Sequence, residues 1–241
     1  MNGRIVLFSL ISIFLLFALV VEASAQTRTV GVRVGNKFRY DIIATWSSND
    51  TSATPPSDLV DANNTQWFDV NVTAISGTNI TAQLTSHLKN NTEITTSCWK
   101  DVNTGSGNMT IFFISANLTA GDLVYTSSSS LKINETVSRT YSGVKRDANH
   151  LNTTSSISGT QTGYDLYWDK STGVLVEELQ ETTNQTGTYT TTSSIGLQIS
   201  SSDLWVVPEF PTWTSALLIL IMLTSATWVI ARQRQPKRPF R

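Results

Sequence analysis

Ten Asn-x-Thr triplets are the residues of this chain whose type and spacing most plainly support chemistry. They begin at Asn49, Asn63, Asn71, Asn79, Asn90, Asn108, Asn117, Asn134, Asn152 and Asn184. In such a triplet the asparagine carboxamide accepts an N-linked oligosaccharide, a bulky, solvated group that has to sit on the surface. Ser and Thr make up about a quarter of the chain, so its 16 Asn would meet a hydroxyl two positions on about four times by chance; ten, every one with Thr, is an excess. The chemistry needs an oligosaccharyltransferase, which places the chain outside the cytoplasm.

Other reactive groups are sparse. His87 and His150 are the only histidines, without H-x-x-x-H spacing, and Cys98 is the only cysteine. Neither a transition-metal site nor an internal disulfide is expected. Cys98 precedes Trp99 in a strand-like stretch and reads as a small buried residue. Glu177 and Glu178 are neighbours on a strand and point to opposite faces, so a glycosidase-type carboxylate pair would have to come from separate strands. Asp50, Asp58 and Asp61 share a Pro-containing loop but lack the order of a calcium loop, and read as solvated charge. Trp46, Trp67, Trp99 and Trp168 alternate with polar residues, which predicts core packing; lining a sugar or lipid pocket is the alternative. No nucleophile elbow, P-loop or dinucleotide fingerprint occurs. Catalytic residues, cofactor and metal ligands are all expected to be none.

The elements that position these residues read as β throughout, because apolar residues recur with period two. Phe38, Tyr40, Ile42, Ala44 and Trp46 share one face, with Lys37, Arg39, Asp41 and Thr45 on the other. Phe68, Val70, Val72 and Ala74, a turn at Gly77-Thr78-Asn79, and Ile80, Ala82, Leu84 and Leu88 make a hairpin with one wet face. There Asn71 and Asn79 point outward while Val72 and Ile80 point inward. Tyr164, Leu166 and Trp168, a turn over 169–173 and a return strand over 174–179 make another hairpin. The Thr-rich stretch 186–194 leads into Ile195, Leu197 and Ile199 as a last strand, with an O-glycosylated stalk as the alternative. The fold class is therefore mainly β, an antiparallel meander of hairpins forming a curved sheet, half-barrel or sandwich. Residues 50–64, with Pro55-Pro56, read as a long loop. Residues 108–122, with Ile111, Phe112, Phe113 and Ile114 together, fit either a short helix or a buried strand. A helix plugging a curved sheet would make a ligand-holding half-barrel.

Both ends carry export signals. Arg4, an apolar run over 5–21 and Ala23-Ser24-Ala25 predict a signal peptide over 1–25, cleaved between Ala25 and Gln26. Residues 213–231 carry no charge, and at about 1.5 Å per residue they span roughly 28 Å, one hydrocarbon thickness. Trp213 and Trp228 near the two ends read as interfacial anchors, and Arg232 and Arg234 open a basic tail over 232–241 that the positive-inside rule places in the cytoplasm. Between positions 26 and 207, 11 Lys and Arg stand against 16 Asp and Glu, a net of −5, while the tail carries +5. So acidic a domain over 26–205 excludes a nucleic-acid partner, which needs a basic surface.

Between domain and anchor, a spacer over 206–212 contains Pro208-Glu209-Phe210-Pro211. This motif, the apolar helix and the basic cluster together resemble the C-terminal signal of archaeal exported cell-surface proteins. The resemblance covers 208–241 and implies an archaeal surface protein that an archaeosortase-type transpeptidase recuts near the motif in some relatives. Gly35-Asn36-Lys37-Phe38-Arg39-Tyr40 and the 168–177 segment are similar to stretches of archaeal surface domains, some of which resemble the curved sheets of lipoprotein carriers. The expected partners are the membrane, signal peptidase and oligosaccharyltransferase. The expected function is a membrane-anchored, glycosylated structural or binding module of the envelope, with a carrier for an apolar ligand and a surface hydrolase as alternatives.

Overall fold

The computed structural model of the chain describes residues 27–205, apart from positions 110 and 129. The expected signal peptide with its Ala25–Gln26 cleavage point, the Pro208-Glu209-Phe210-Pro211 motif and the anchor with Trp213, Trp228, Arg232 and Arg234 lie outside the described residues. Among the described residues, no helix is long and apolar enough to cross a membrane.

Nine strands and one helix make up the regular structure: β1 (Lys37–Ser48), α1 (Ser57–Asn64), β2 (Thr65–Ser76), β3 (Asn79–Leu88), β4 (Glu93–Asp101), β5 (Glu135–Tyr141), β6 (Val144–Ile157), β7 (Thr160–Asp169), β8 (Leu175–Thr186) and β9 (Tyr189–Ser202). All nine strands form a single antiparallel open sheet in the order β4-β3-β2-β1-β9-β8-β7-β6-β5. One sheet, rather than two packed face to face, rules out the sandwich. Two meanders, β1 to β4 and β5 to β9, join where β1 pairs with β9, so β4 and β5 become opposite edges.

Period-two patterning is obeyed over most of these strands, but Ala74 of β2 is exposed, because a bulge between Val72 and Ala74 turns Ile75 toward the core instead. Phe38 and Tyr40 of β1, Val70 and Val72 of β2 and Ile80 and Ala82 of β3 are all buried on one face. The Thr-rich stretch is strand, not stalk: β9 pairs along its length with β1 and β8, and Thr45 Oγ1 meets Ser194 Oγ at 2.7 Å across the β1–β9 seam. Cys98 is buried, its Sγ donating to the Ala82 carbonyl at 3.4 Å.

Two stretches depart from expectation. The predicted loop over 50–64 contains α1, which starts after Pro56, carries Asp58 in its first turn and buries Leu59 and Ala62. Proline is tolerated at a helix start and an acid there suits the helix dipole, while the two apolar residues, three apart, provide the buried stripe. Among its described residues, the segment 102–134 forms neither helix nor strand. Because it joins opposite edges of the sheet, it runs as an irregular strap that buries Met109, Phe112, Phe113, Ile114, Leu118, Val124, Tyr125 and Ile133 in the same core as the sheet. Phe113 lies edge-on to Phe38 at 6.0 Å, and Phe112 lies edge-on to Tyr40 at 5.3 Å and to Phe68 at 5.5 Å. A buried irregular backbone still needs its polar groups satisfied. The sheet supplies them from buried side chains: Trp168 Nε1 donates to the Ile111 carbonyl at 2.8 Å, Asn149 Nδ2 to that of Leu118 at 2.8 Å, and Lys100 Nζ to that of Met109 at 3.4 Å. Main-chain bonds from Ile114 to Gly173 and from Leu175 to Phe112 stitch the strap to the β7–β8 turn. Gly173, at φ 71°, allows this approach, since a Cβ there would lie 2.1 Å from the Ile114 carbonyl oxygen.

Candidate functional site

At one end of the strap the packing opens into a cavity of about 590 Å³. Ile111, Val124, Tyr125 and Leu131 of the strap form its roof; Leu151 of β6, Tyr164, Leu166 and Trp168 of β7, and Glu178 and Gln180 of β8 form its floor. Ligand pockets are commonly about 300 to 1,000 Å³, largely apolar, with a few polar groups that fix orientation. Thr153 and Ser155 of β6 add hydroxyls at the wall. Gln180 also borders a smaller hollow of about 160 Å³ beneath Pro56 and Leu59 at the start of α1.

Two polar groups of the cavity wall are engaged by main-chain carbonyls. The Tyr125 hydroxyl donates to the Phe113 carbonyl at 2.9 Å, and the Trp168 indole is committed to Ile111. Behind the floor, the Tyr40 hydroxyl donates to the Leu175 carbonyl at 2.8 Å. Glu178 differs. Its carboxyl has no hydrogen bond or ion pair among the described residues, and it stands between Leu166 of β7 and Leu197 of β9 in the sheet register. Desolvation holds its acidity weak, with the pKa raised from 4.5 to about 7. Burial also pushes the Tyr40 hydroxyl well up, and the Glu178 charge adds to that.

A β-bulge puts Glu178 there. Tyr167 pairs with Glu177 but Trp168 pairs with Leu175, so Val176 is an extra residue on β8. Leu175 and Val176 are both fully buried, and beyond them the alternation is inverted: Glu178 faces the cavity while Leu179 is 44% exposed. Glu177, on the opposite face as expected, accepts from Arg139 at 2.6 Å and from the Tyr141 hydroxyl at 3.1 Å. The adjacency of the two acids was legible in the sequence. Which of them faces the core was not, because the apolar Leu179 argues for the other parity.

The outer face of the sheet carries two aromatic–cation ladders. On one wing, Arg39 lies 3.7 Å over Trp67 and makes a bidentate pair with Asp69, and Trp67 stacks on His87 at 4.6 Å. On the other, Arg139 lies 3.8 Å over Tyr167, which stacks on His150 at 4.4 Å; His150 in turn contacts Asp165 at 2.5 Å and Glu135 at 3.1 Å. The expectation that Trp46, Trp67, Trp99 and Trp168 pack in the core holds for Trp168 and is corrected for Trp67 and Trp99. Trp168 is fully buried and lines the cavity, Trp67 belongs to an outer ladder, and Trp99 is 42% exposed. Polar neighbours on alternate positions mark a two-faced strand without saying which face is wet.

Nine sequon asparagines, Asn49, Asn63, Asn79, Asn90, Asn108, Asn117, Asn134, Asn152 and Asn184, are exposed. Asn71 is only half-exposed, and its Oδ1 is shut from solvent without a hydrogen-bond partner. Several use the carboxamide oxygen structurally: Asn49 accepts from the Thr190 amide, Asn108 from that of Trp99 and Asn134 from that of Asn152. This leaves Nδ2 of Asn108 and Asn134 pointing to no described protein acceptor.

No protein family and no curated protein matches the chain in sequence. Among solved structures, the zebrafish ileal bile acid-binding protein complexed with cholic acid aligns with 68% of this chain and 95% of its own, at 13% identity and a TM-score of 0.18. Overlap that loose leaves fold and function to be argued from the cavity itself.

Proposed function

We infer that the chain is an exported, glycosylated binding module that holds an apolar ligand between its strap and its sheet, and that it works as a carrier or receptor at the envelope rather than as an enzyme. The observation that carries this reading is the apolar cavity of about 590 Å³ roofed by the strap. A well-packed core would instead close such a space. A retaining or inverting glycosidase needs two converging carboxyls, and the described wall of this cavity contributes one, Glu178. Export and anchoring rest on the terminal segments and sequons, and the resemblance of the C-terminal signal supports an archaeal cell surface.

Mass spectrometry of organic extracts tests the binding reading. Protein purified from its native host should release a stoichiometric apolar molecule, and Thr153→Trp, which fills the wall between β6 and the strap, should abolish it. An empty wild-type protein, or one whose content Thr153→Trp leaves unchanged, would overturn the reading. Peptide mapping of the same sample should find Gln26 as the first residue and glycans on the exposed sequons, with Asn71 the least modified. Bare asparagines throughout would sink the export argument.

A further inference from the structure

The cavity has one feature that a general apolar carrier does not need: an unpartnered carboxyl midway along its floor. Glu178 is half-buried, and the apolar wall around it solvates its charge poorly. Around Glu178 stand Leu166 and Tyr164 from β7, Leu197 from β9, Gln180 on its own strand and Tyr125 from the strap, with Tyr40 of β1 behind. Tyr125 and Tyr40 spend their protons on main-chain carbonyls. No Lys, Arg or His lines the described cavity. Tyr164, Gln180, Thr153 and Ser155 offer neutral donors only, so the site holds a carboxylate and lacks its countercharge.

Resting on the binding reading above, we propose that Glu178 selects amphiphiles whose head donates a hydrogen bond, a protonated amine foremost and a hydroxyl second, and excludes those that end in a carboxylate or phosphate. An ammonium head supplies the missing countercharge inside a low-dielectric wall, where a charge-assisted hydrogen bond is strongest. A hydroxyl head donates to the same oxygens without charge. An anionic head meets Glu178 as a like charge and forces it to stay protonated. The apolar chain of the ligand lies along Leu151, Leu166 and Trp168, with the head at β8. Because the carboxyl is only partly ionised near neutrality in the empty site, seating an ammonium ionises it fully and releases protons.

The test uses the full chain in phosphatidylcholine discs and three probes that share one fluorescent dodecyl chain and end in ammonium, hydroxyl or carboxylate. At pH 7 the ammonium probe is expected to bind about ten- to a hundredfold tighter than the carboxylate probe, with the hydroxyl probe between them. Binding of the ammonium probe in weak buffer at pH 6 should acidify the solution. Glu178→Gln should bring the ammonium and carboxylate probes to similar affinity, keep hydroxyl binding and abolish proton release. Equal binding of all three heads by the wild type, or a preference that survives in Glu178→Gln, would overturn the head selectivity and leave the cavity reading standing. If none of the probes binds and Thr153→Trp changes nothing, the cavity reading falls and takes this inference with it. A Glu178→Gln chain that does not fold is replaced by Leu166→Glu, a second acid opposite the first, which should strengthen ammonium binding; no gain there would also overturn the proposal.

Discussion

Asp169 and Glu178 lie on one hairpin, the first buried and the second half-buried in the cavity wall, and their surroundings have opposite characters. Asp169 ends β7 and is 1% exposed, yet every oxygen is used: Arg146 Nε donates to it at 2.7 Å, and Ser171 Oγ, Thr172 Oγ1 and the Thr172 amide at 2.7, 2.7 and 2.9 Å. Burial pushes its pKa up, but those hydrogen bonds and the guanidinium outweigh burial and hold it below the usual range. Glu178, further along β8, has no such partners, and burial alone raises it to about 7. The first carboxyl builds the turn that receives the strap; the second stands where the strap lifts away. A buried charge supplied with donors marks structure, and a half-buried one lining a cavity without them leaves room for a ligand's.

Breaking the turn should have the largest effect. Gly173→Ala puts a Cβ against the Ile114 carbonyl at a positive φ, and a loss of about 4 kcal/mol or outright failure to fold is expected in urea unfolding. Asp169→Ala leaves Arg146 and two hydroxyls without their acceptor, and should cost about 3 to 5 kcal/mol by the same measurement. Its wild-type contribution is present above the ordinary carboxylate pKa and is lost only as pH falls below it, since the folded pKa is depressed.

At Glu178 the sign reverses. The folded state holds its proton more tightly than the unfolded chain, so this group's contribution to stability is greatest below pH 4.5, falls between pH 4.5 and about 7, and is level above that. Glu178→Gln should remove this slope and raise stability at pH 8 by up to about 3 kcal/mol. A thermal-melt series from pH 4 to pH 8 measures both, and an unchanged slope would erase the contrast between the two acids. The smallest effect is expected on the outer face. Arg139→Ala breaks a part-exposed pair with Glu177 and a stack on Tyr167, and should cost about 1 kcal/mol or less, diminishing in high salt.

Local pattern carried the strands well. Phe38 and Tyr40, Val70 and Val72, and Ile80 and Ala82 face the core as their spacing requires, because a half-buried strand has to alternate. Segments without a period were harder. Phe112, Phe113 and Ile114 advertise burial, but nothing near them says that an irregular strap will cross the sheet, since the reason lies in β4 and β5 ending at opposite edges. The α1 helix was missed because an eight-residue helix with two buried side chains leaves little periodicity to read. Of the candidate site, Trp168 and Glu178 were visible as residues but not as neighbours on the floor of one cavity.

The amino-acid order alone determined that this domain would be antiparallel sheet, that it would carry one unpaired cysteine inside, and that Glu177 and Glu178 would face opposite ways. Each follows from nearest-neighbour stereochemistry, which acts within a few residues. Only tertiary structure decided which acid turned inward. One additional residue at Val176, accommodated where β8 meets the Trp168 end of β7, inverts the alternation beyond it, because a strand's side chains repeat every two residues and a shift of one exchanges its faces.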